Sequence, residues 1–220
     1  MKKAILLSMM TVAAVFTIAT GAKAQQKGFY IGAQGGNRLS YMFNQTDADK
    51  PGVDYKARHG YAFGVSAGYN FNKRMGIGTE FTYSSTRQRY IDSSSKYTQK
   101  FKYLKVPVMF TYISNPEKKF MFTAKLGPQV GLLLDSKIKN ATNSQMNGNT
   151  KDQYEKITFG AAGGAGVRMR VVENIYVDAM LHLDASITNA EDKDYKYYTA
   201  GRSKTYDLNS GLELGVKYFF

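Results

Sequence analysis

The sequence predicts an all-β protein, an eight-stranded antiparallel up-and-down transmembrane β-barrel. Three observations carry that expectation. Apolar and polar residues alternate with period two in eight segments, the links between those segments alternate between short and long, and the N-terminus reads as an export signal. Successive strand side chains point to opposite faces, so period-two alternation marks strands with one apolar face. Short turns at one end and long loops at the other are the pattern of an outer-membrane-type barrel.

The 220 residues suit one domain with a sizeable core. Overall hydropathy is on the polar side, which excludes a polytopic helical membrane protein with its several apolar runs of roughly 20 residues. With no cysteine, the chain has no disulfide scaffold, thiolate metal site, cysteine nucleophile or lipidated N-terminal cysteine. Lys2 and Lys3 precede an uncharged stretch from Ala4 to Ala19, and Ala22-Lys23-Ala24 has the small-x-small pattern of a signal peptidase site. A signal peptide over residues 1–24 is therefore expected, leaving a barrel domain over 25–220 that begins at Gln25. Loss of Lys2, Lys3 and Lys23 lowers the formal charge from +13 to +10. Export makes nucleic acid an unsuitable partner for that charge; outer-membrane lipid and lipopolysaccharide are the expected ones.

The elements follow in order. The first strand starts near Phe29, with Phe29, Ile31 and Ala33 against Tyr30, Gly32 and Gln34. In the second, Tyr61, Phe63, Val65, Ala67, Tyr69 and Phe71 face away from Gly64, Ser66, Gly68 and Asn70. The third sets Met75, Ile77, Phe81 and Tyr83 against Gly76, Gly78, Glu80 and Thr82. The fourth sets Leu104, Val106, Val108, Phe110 and Tyr112 against Lys105 and Thr111. In the fifth, Phe120 to Leu134 at even positions oppose Thr123, Lys125, Gln129 and Asp135. The sixth opposes Ile157, Phe159, Val167 and Met169 to Gly164, Arg168 and Arg170. The seventh opposes Val177, Leu181, Leu183 and Ile187 to Asp178, His182, Asp184 and Ser186. The eighth carries Leu212, Leu214, Val216, Tyr218 and Phe220 on one face and Glu213, Gly215 and Lys217 on the other. Each is expected to run for about ten residues. Asn72–Arg74, Ser114–Lys119 and Glu173-Asn174 make the short turns; roughly 43–57, 86–100, 136–155 and 188–204 make four long loops.

The polar face gathers Glu80, Lys105, Lys125, Arg168, Arg170, Asp178, His182, Asp184, Glu213 and Lys217 with many glycines. As the core of a soluble barrel those charges would be costly. They suit a narrow lumen in which opposite charges pair and small residues make room, so the apolar face is expected to point to lipid.

Phe220, with Tyr218, Val216, Leu214 and Leu212 at alternate positions before it, resembles the C-terminal recognition strand of Gram-negative outer-membrane barrels. The resemblance implies assembly by the barrel-assembly machinery. The mature chain resembles the PorT-type outer-membrane β-barrel family of Bacteroidota, small OmpA-like barrels. Tyr103-Leu104-Lys105-Val106-Pro107 is similar to that family's Tyr-Leu-Glu-Ile-Pro segment, with Lys105 in place of its usual Glu. Gly127-Pro128 resembles its fifth strand, and Gln25 after Ala24 is a common mature start there. The resemblance implies fold and location, and its name implies a secretion component.

Chemistry is sparse. His182 shares a face with Asp178, Asp184 and Ser186, yet alternate residues on one strand lie about 6.6 Å apart, too far for a nucleophile–base contact. The run from Gly160 to Gly166 lacks the Lys-Ser/Thr ending and following helix of a phosphate loop. Asp47, Asp49 and Asp54 lack the spacing of a calcium loop. No catalytic residue, cofactor or metal is expected. Tyr195, Tyr197 and Tyr198 among Lys193, Lys196, Arg202 and Lys204, and Tyr90 and Tyr97 among Arg87, Arg89 and Lys96, are suited to sugars, phosphates or proteins. The expected role is membrane-structural or surface-interacting, as a monomer without catalytic activity. A narrow channel, a secretion accessory and a lipid-modifying enzyme are the alternatives.

Overall fold

A computed structural model of the chain describes residues 27–49, 54–91, 96–140 and 147–220. The leader reading at Ala22, Ala24 and Gln25 lies outside those residues. The described segments form eight long strands: β1 (Gly28–Asn44), β2 (Asp54–Asn70), β3 (Met75–Ile91), β4 (Lys96–Ile113), β5 (Phe120–Asn140), β6 (Ile157–Arg170), β7 (Ile175–Ser186) and β8 (Thr205–Phe219). Each pairs antiparallel with its sequence neighbours, β4 pairs with β5, and β8 returns to pair with β1 from Tyr30↔Phe219 to Asn44↔Thr205. The sheet is thus closed, and closure leaves no edge strand to be satisfied within hydrocarbon.

Alternation is expressed as expected. Phe29, Phe63, Phe81, Phe110, Leu126, Leu181, Leu212 and Leu214 are exposed on the outer wall, while Glu80, Lys105, Lys125, Arg168 and Glu213 are buried inside. Aromatic contacts cluster at two levels outside: Tyr61, Phe63 and Tyr83 toward the long loops, and Phe29, Tyr69, Phe71, Tyr218 and Phe220 at the short-turn end. Both sets match the interfacial girdles of a membrane barrel.

The strands are longer than expected, from 12 residues in β7 to 21 in β5. The extension is all toward the long loops. β3 and β4 remain paired up to Ile91↔Lys96, so most of the expected second loop is hairpin. Apolar alternation stops where lipid stops, but a ladder with water on its outer face can continue in Thr, Arg, Gln and Tyr. Two irregularities interrupt the register, one in β2 between Arg58 and Tyr61 and one opposite Lys102 and Tyr103. The second places an extra residue in β5, so Asp135 turns outward to Lys102 (3.1 Å) and Lys137 (3.3 Å) instead of sharing the lumenal face.

Candidate functional site: a sealed lumen and its cap

The inside of the barrel is built in three layers. At the short-turn end Tyr30, Ile113, Met121, Tyr176 and Phe219 form a buried apolar cluster, with the Tyr30 and Phe219 rings 5.2 Å apart. Two lumenal glycines admit the Tyr30 ring: a Cβ at Gly68 or at Gly78 would overlap its hydroxyl end. At the long-loop end Met42, Phe101, Tyr103, Leu133 and Ala190 form a second cluster, against which Tyr154 packs. Ala190 comes from the long segment between β7 and β8, which therefore folds into the mouth.

Between the two clusters lies the charged layer. Lys125 Nζ donates to Glu80 Oε1 and Glu213 Oε1, both at 2.6 Å, and Arg38 Nη2 donates to Glu213 Oε2 at 2.6 Å. Lys105 Nζ bridges Asp184 and Asp207, the latter at 2.9 Å. His182 stands between the two groups, its Nε2 3.3 Å from Asp184 and its Nδ1 3.3 Å from Glu213, the latter without hydrogen-bond alignment. Nearer the short-turn end Arg168 binds Asp178 through Nε (2.7 Å) and Nη2 (2.9 Å), and Lys217 approaches the same carboxylate at 3.4 Å. Among the described residues the layer holds five cations (Arg38, Lys105, Lys125, Arg168, Lys217) against five carboxylates (Glu80, Asp178, Asp184, Asp207, Glu213), before His182 is counted. Such a balance offsets part of the desolvation of buried ions. A void of about 10 Å³ beside Arg38, Glu80 and His182 has room for one water at most.

The structure brings together nine of the ten charged residues singled out by alternation. Arg170 is the exception: it is the last residue of β6, and its guanidinium leaves the lumen for the Glu117 carbonyl in the short turn, at 3.4 Å. Arg38 and Asp207 were missed. Both keep the inward parity of their strands, Arg38 with Tyr30 and Gly32, Asp207 with Asn209 and Glu213, and the outward Leu39 and Leu208 beside them continue the apolar face past a break at Gly35–Asn37 and at Asn209–Gly211. Leu212, Leu214, Val216 and Phe220 line the outer wall, and Phe220 N donates to Phe29 O at 3.0 Å across the β8–β1 seam.

The mouth is fastened by a polar latch. Asn44 caps a one-turn helix (Gln45–Ala48) by accepting from Asp47 N, and its Nδ2 donates to Ser203 O and Thr205 Oγ1, both at 2.7 Å. Arg202 grips Asp47 with two nitrogens and Glu191 at 2.8 and 3.0 Å. Asp47, read from the sequence as part of a solvated acidic loop, is engaged by a guanidinium. Burial pulls the Arg202 pKa down, but its hydrogen bonds to the Asp47 and Glu191 carboxylates outweigh it and hold it above its usual value. Beside the latch, Tyr154, Tyr195, Tyr197, Tyr198, Asp192 and Arg202 line a recess of about 190 Å³. On the outer wall a groove of about 670 Å³ runs over Ala161, Gly163 and Ala165 between Leu126 and Leu181. The glycine-rich run has a separate cause in close strand packing: a Cβ at Gly160 or Gly166 would strike the β7 carbonyls of Ala185 or Ala179.

A closed ring with apolar outside, ionic inside, short turns at one end and long loops at the other defines a small outer-membrane β-barrel protein. A family model for the outer membrane protein beta-barrel domain matches residues 23–190, and the chain belongs to that family. Among solved structures, it is similar to the Neisserial surface protein A (TM-score 0.53, 13% identity, covering 88% of this chain and 97% of that one). It is also similar to the outer membrane protein OprG from Pseudomonas aeruginosa (TM-score 0.51, 14% identity, covering 91% and 99%). At those identities the likeness is one of fold. No curated protein matches the sequence significantly. Membership of the family places the chain in the cell outer membrane.

Proposed function

We propose that the protein is a closed, non-catalytic barrel whose work is done on its outside, as a membrane-structural element and a surface for interaction at the long loops. The carrying observation is the lumen: among the described residues it is apolar at both ends and charge-balanced between, where the void beside Arg38, Glu80 and His182 is no larger than one water. An ion would have to displace an aromatic cluster at each end to pass. His182, the one candidate for acid–base work on the polar face, is buried among carboxylates at mid-lumen and has no access to a lipid substrate. The tyrosine-lined recess with Asp192 and Arg202 is a docking place on the loops suited to a sugar or peptide.

Export through a cleaved leader at Ala24–Gln25 and assembly through the Leu212–Phe220 strand belong to the same reading. The similarity of Tyr103–Pro107 to the PorT-type segment supports an origin in Bacteroidota, and a secretion role has no support beyond that name. Planar-bilayer recording from refolded, inserted protein tests the proposal. Silence at all voltages is expected; reproducible conductance steps that change in Glu213→Ala would show a polar pore and overturn the closed-barrel reading.

A further inference from the structure

Above the outer girdle the extended wall carries a charge pattern that the closed barrel does not use. Arg58, Arg87, Lys100 and Lys137 occupy directly opposed positions on β2, β3, β4 and β5, one continuous row across four strands. One step further from the membrane Arg89 and Lys139 flank Thr98 in the next row. Like charges directly opposite one another are unfavourable in a sheet. Here three such pairs stand side by side. Asp135 neutralises the lower border through Lys102 and Lys137, but Arg58, Arg87, Arg89, Lys100 and Lys139 have no ion pair among the described residues. The side chains enclose a concavity of about 480 Å³ with no carboxylate in its lining.

Position narrows what fills it. The row faces outward, since Gln88 and Gln99 on the neighbouring positions are buried inside. Arg87 lies four residues beyond Tyr83, the girdle ring that packs on Phe63, or about 13 Å along the strand. At a strand tilt of about 40° that is roughly 10 Å above a belt that itself lies at the headgroup level, in the polar zone beyond the hydrocarbon. We infer that this cationic wall binds the phosphate groups of outer-leaflet lipid headgroups, several phosphates spanning the row and the concavity. An arginine fork and neighbouring ammonium groups match phosphate oxygens in geometry and charge. Burial lowers the Lys100 pKa, and Lys139 and Arg87 lower it further, which is the field an anion would relieve.

The inference rests on the outer-membrane placement but not on the lumen being closed, so a conducting barrel would leave it standing. The test uses the refolded barrel in zwitterionic detergent, titrated with a diphosphorylated glycolipid, its phosphate-free counterpart, or inorganic phosphate. Readouts are binding and thermal unfolding. The wall variant is Arg58→Gln/Arg87→Gln/Lys100→Gln; the control, with equal charge loss, is Lys193→Gln/Lys196→Gln/Lys204→Gln. Without lipid, the wall variant should melt above the wild type because repulsion is relieved. With phosphorylated glycolipid, wild type and control should gain stability, and the wall variant should bind at least ~10-fold more weakly. Equal binding by wall variant and wild type, or an equal response to the phosphate-free glycolipid, would overturn the inference. A full response to inorganic phosphate would also overturn it, making the wall a free-anion site.

Discussion

Glu213 gathers more basic partners in the lumen than any other described carboxylate. Its two oxygens hold Lys125 and Arg38, and His182 lies against it. Removing one partner from a buried ionic cluster leaves the others desolvated and uncompensated, a cost of about 3–5 kcal/mol. Glu213→Ala should therefore lower unfolding stability in urea by that order, whereas Arg170→Ala, at the rim and half-buried, should change it by less than about 0.5 kcal/mol. If both variants lose the same stability, the distinction between lumen and rim drawn here is wrong. The same scale shows why the sequence was readable for some residues and not for others. Charge on the inward parity of a strand is enough to place Glu80 or Asp178 in the lumen. Arg170 has that parity too, but a long side chain at a strand end can reach out to the Glu117 carbonyl, and alternation carries no information about reach. Arg38 was hidden differently: Gly35, Gly36 and Asn37 interrupt the apolar face of β1, which resumes outward with Leu39, Tyr41 and Phe43.

The elements beyond the membrane follow a different logic from those within it. Within hydrocarbon, every backbone group must be paired and the outer face must be apolar, so strands announce themselves. Above it neither condition holds, and the β3–β4 extension is visible only as a ladder of cross-strand partners, not as a pattern of hydropathy. The cap between β7 and β8 was legible only as a long polar stretch with tyrosines. What holds it to the barrel, Ala190 against Met42 in the mouth and Arg202 on Asp47, depends on contacts across more than a hundred residues of chain. Replacing Arg202 by Gln should release two carboxylates from the latch and speed amide exchange in residues 187–204 while leaving β1–β8 protected. A mutation that instead loosened the strands would show the latch to be part of the barrel's own stability. Glu155, whose backbone N–H binds Ala190 O, gives a pH handle on the same element. Burial, then Asp192 and Asp194, raise its pKa above the ordinary carboxylate value. A carboxyl with a raised folded-state pKa costs stability at neutral pH, and that cost is lost as pH falls through the raised value. Glu155→Gln should accordingly raise the melting temperature at pH 7, with the gain shrinking toward zero as acid protonates the wild-type side chain.

Taken as a whole molecule, the barrel divides its lumenal charge unevenly along the chain. β1 to β5 contribute Arg38, Lys105 and Lys125 against Glu80; β6 to β8 contribute Arg168 and Lys217 against Asp178, Asp184, Asp207 and Glu213. The first half is left with an excess of two positive charges and the second with an excess of two negative ones, and neither can be neutral inside lipid without the other. Ring closure and charge neutralisation are therefore the same event. A chain cut within 141–156 should yield two pieces that are each held back from stable insertion, yet reassemble into a heat-resistant barrel when refolded together. Reversing one half, by exchanging Lys125 for Glu and Glu213 for Lys in separate pieces, should abolish reassembly when one changed piece meets an unchanged partner and restore it when both changed pieces meet. Complementation that ignored those signs would mean that backbone pairing alone selects the partner. If the signs matter, the lumen is a recognition code between the early and late parts of one polypeptide, guarding against closure on a neighbour's strands in a membrane crowded with similar sheets.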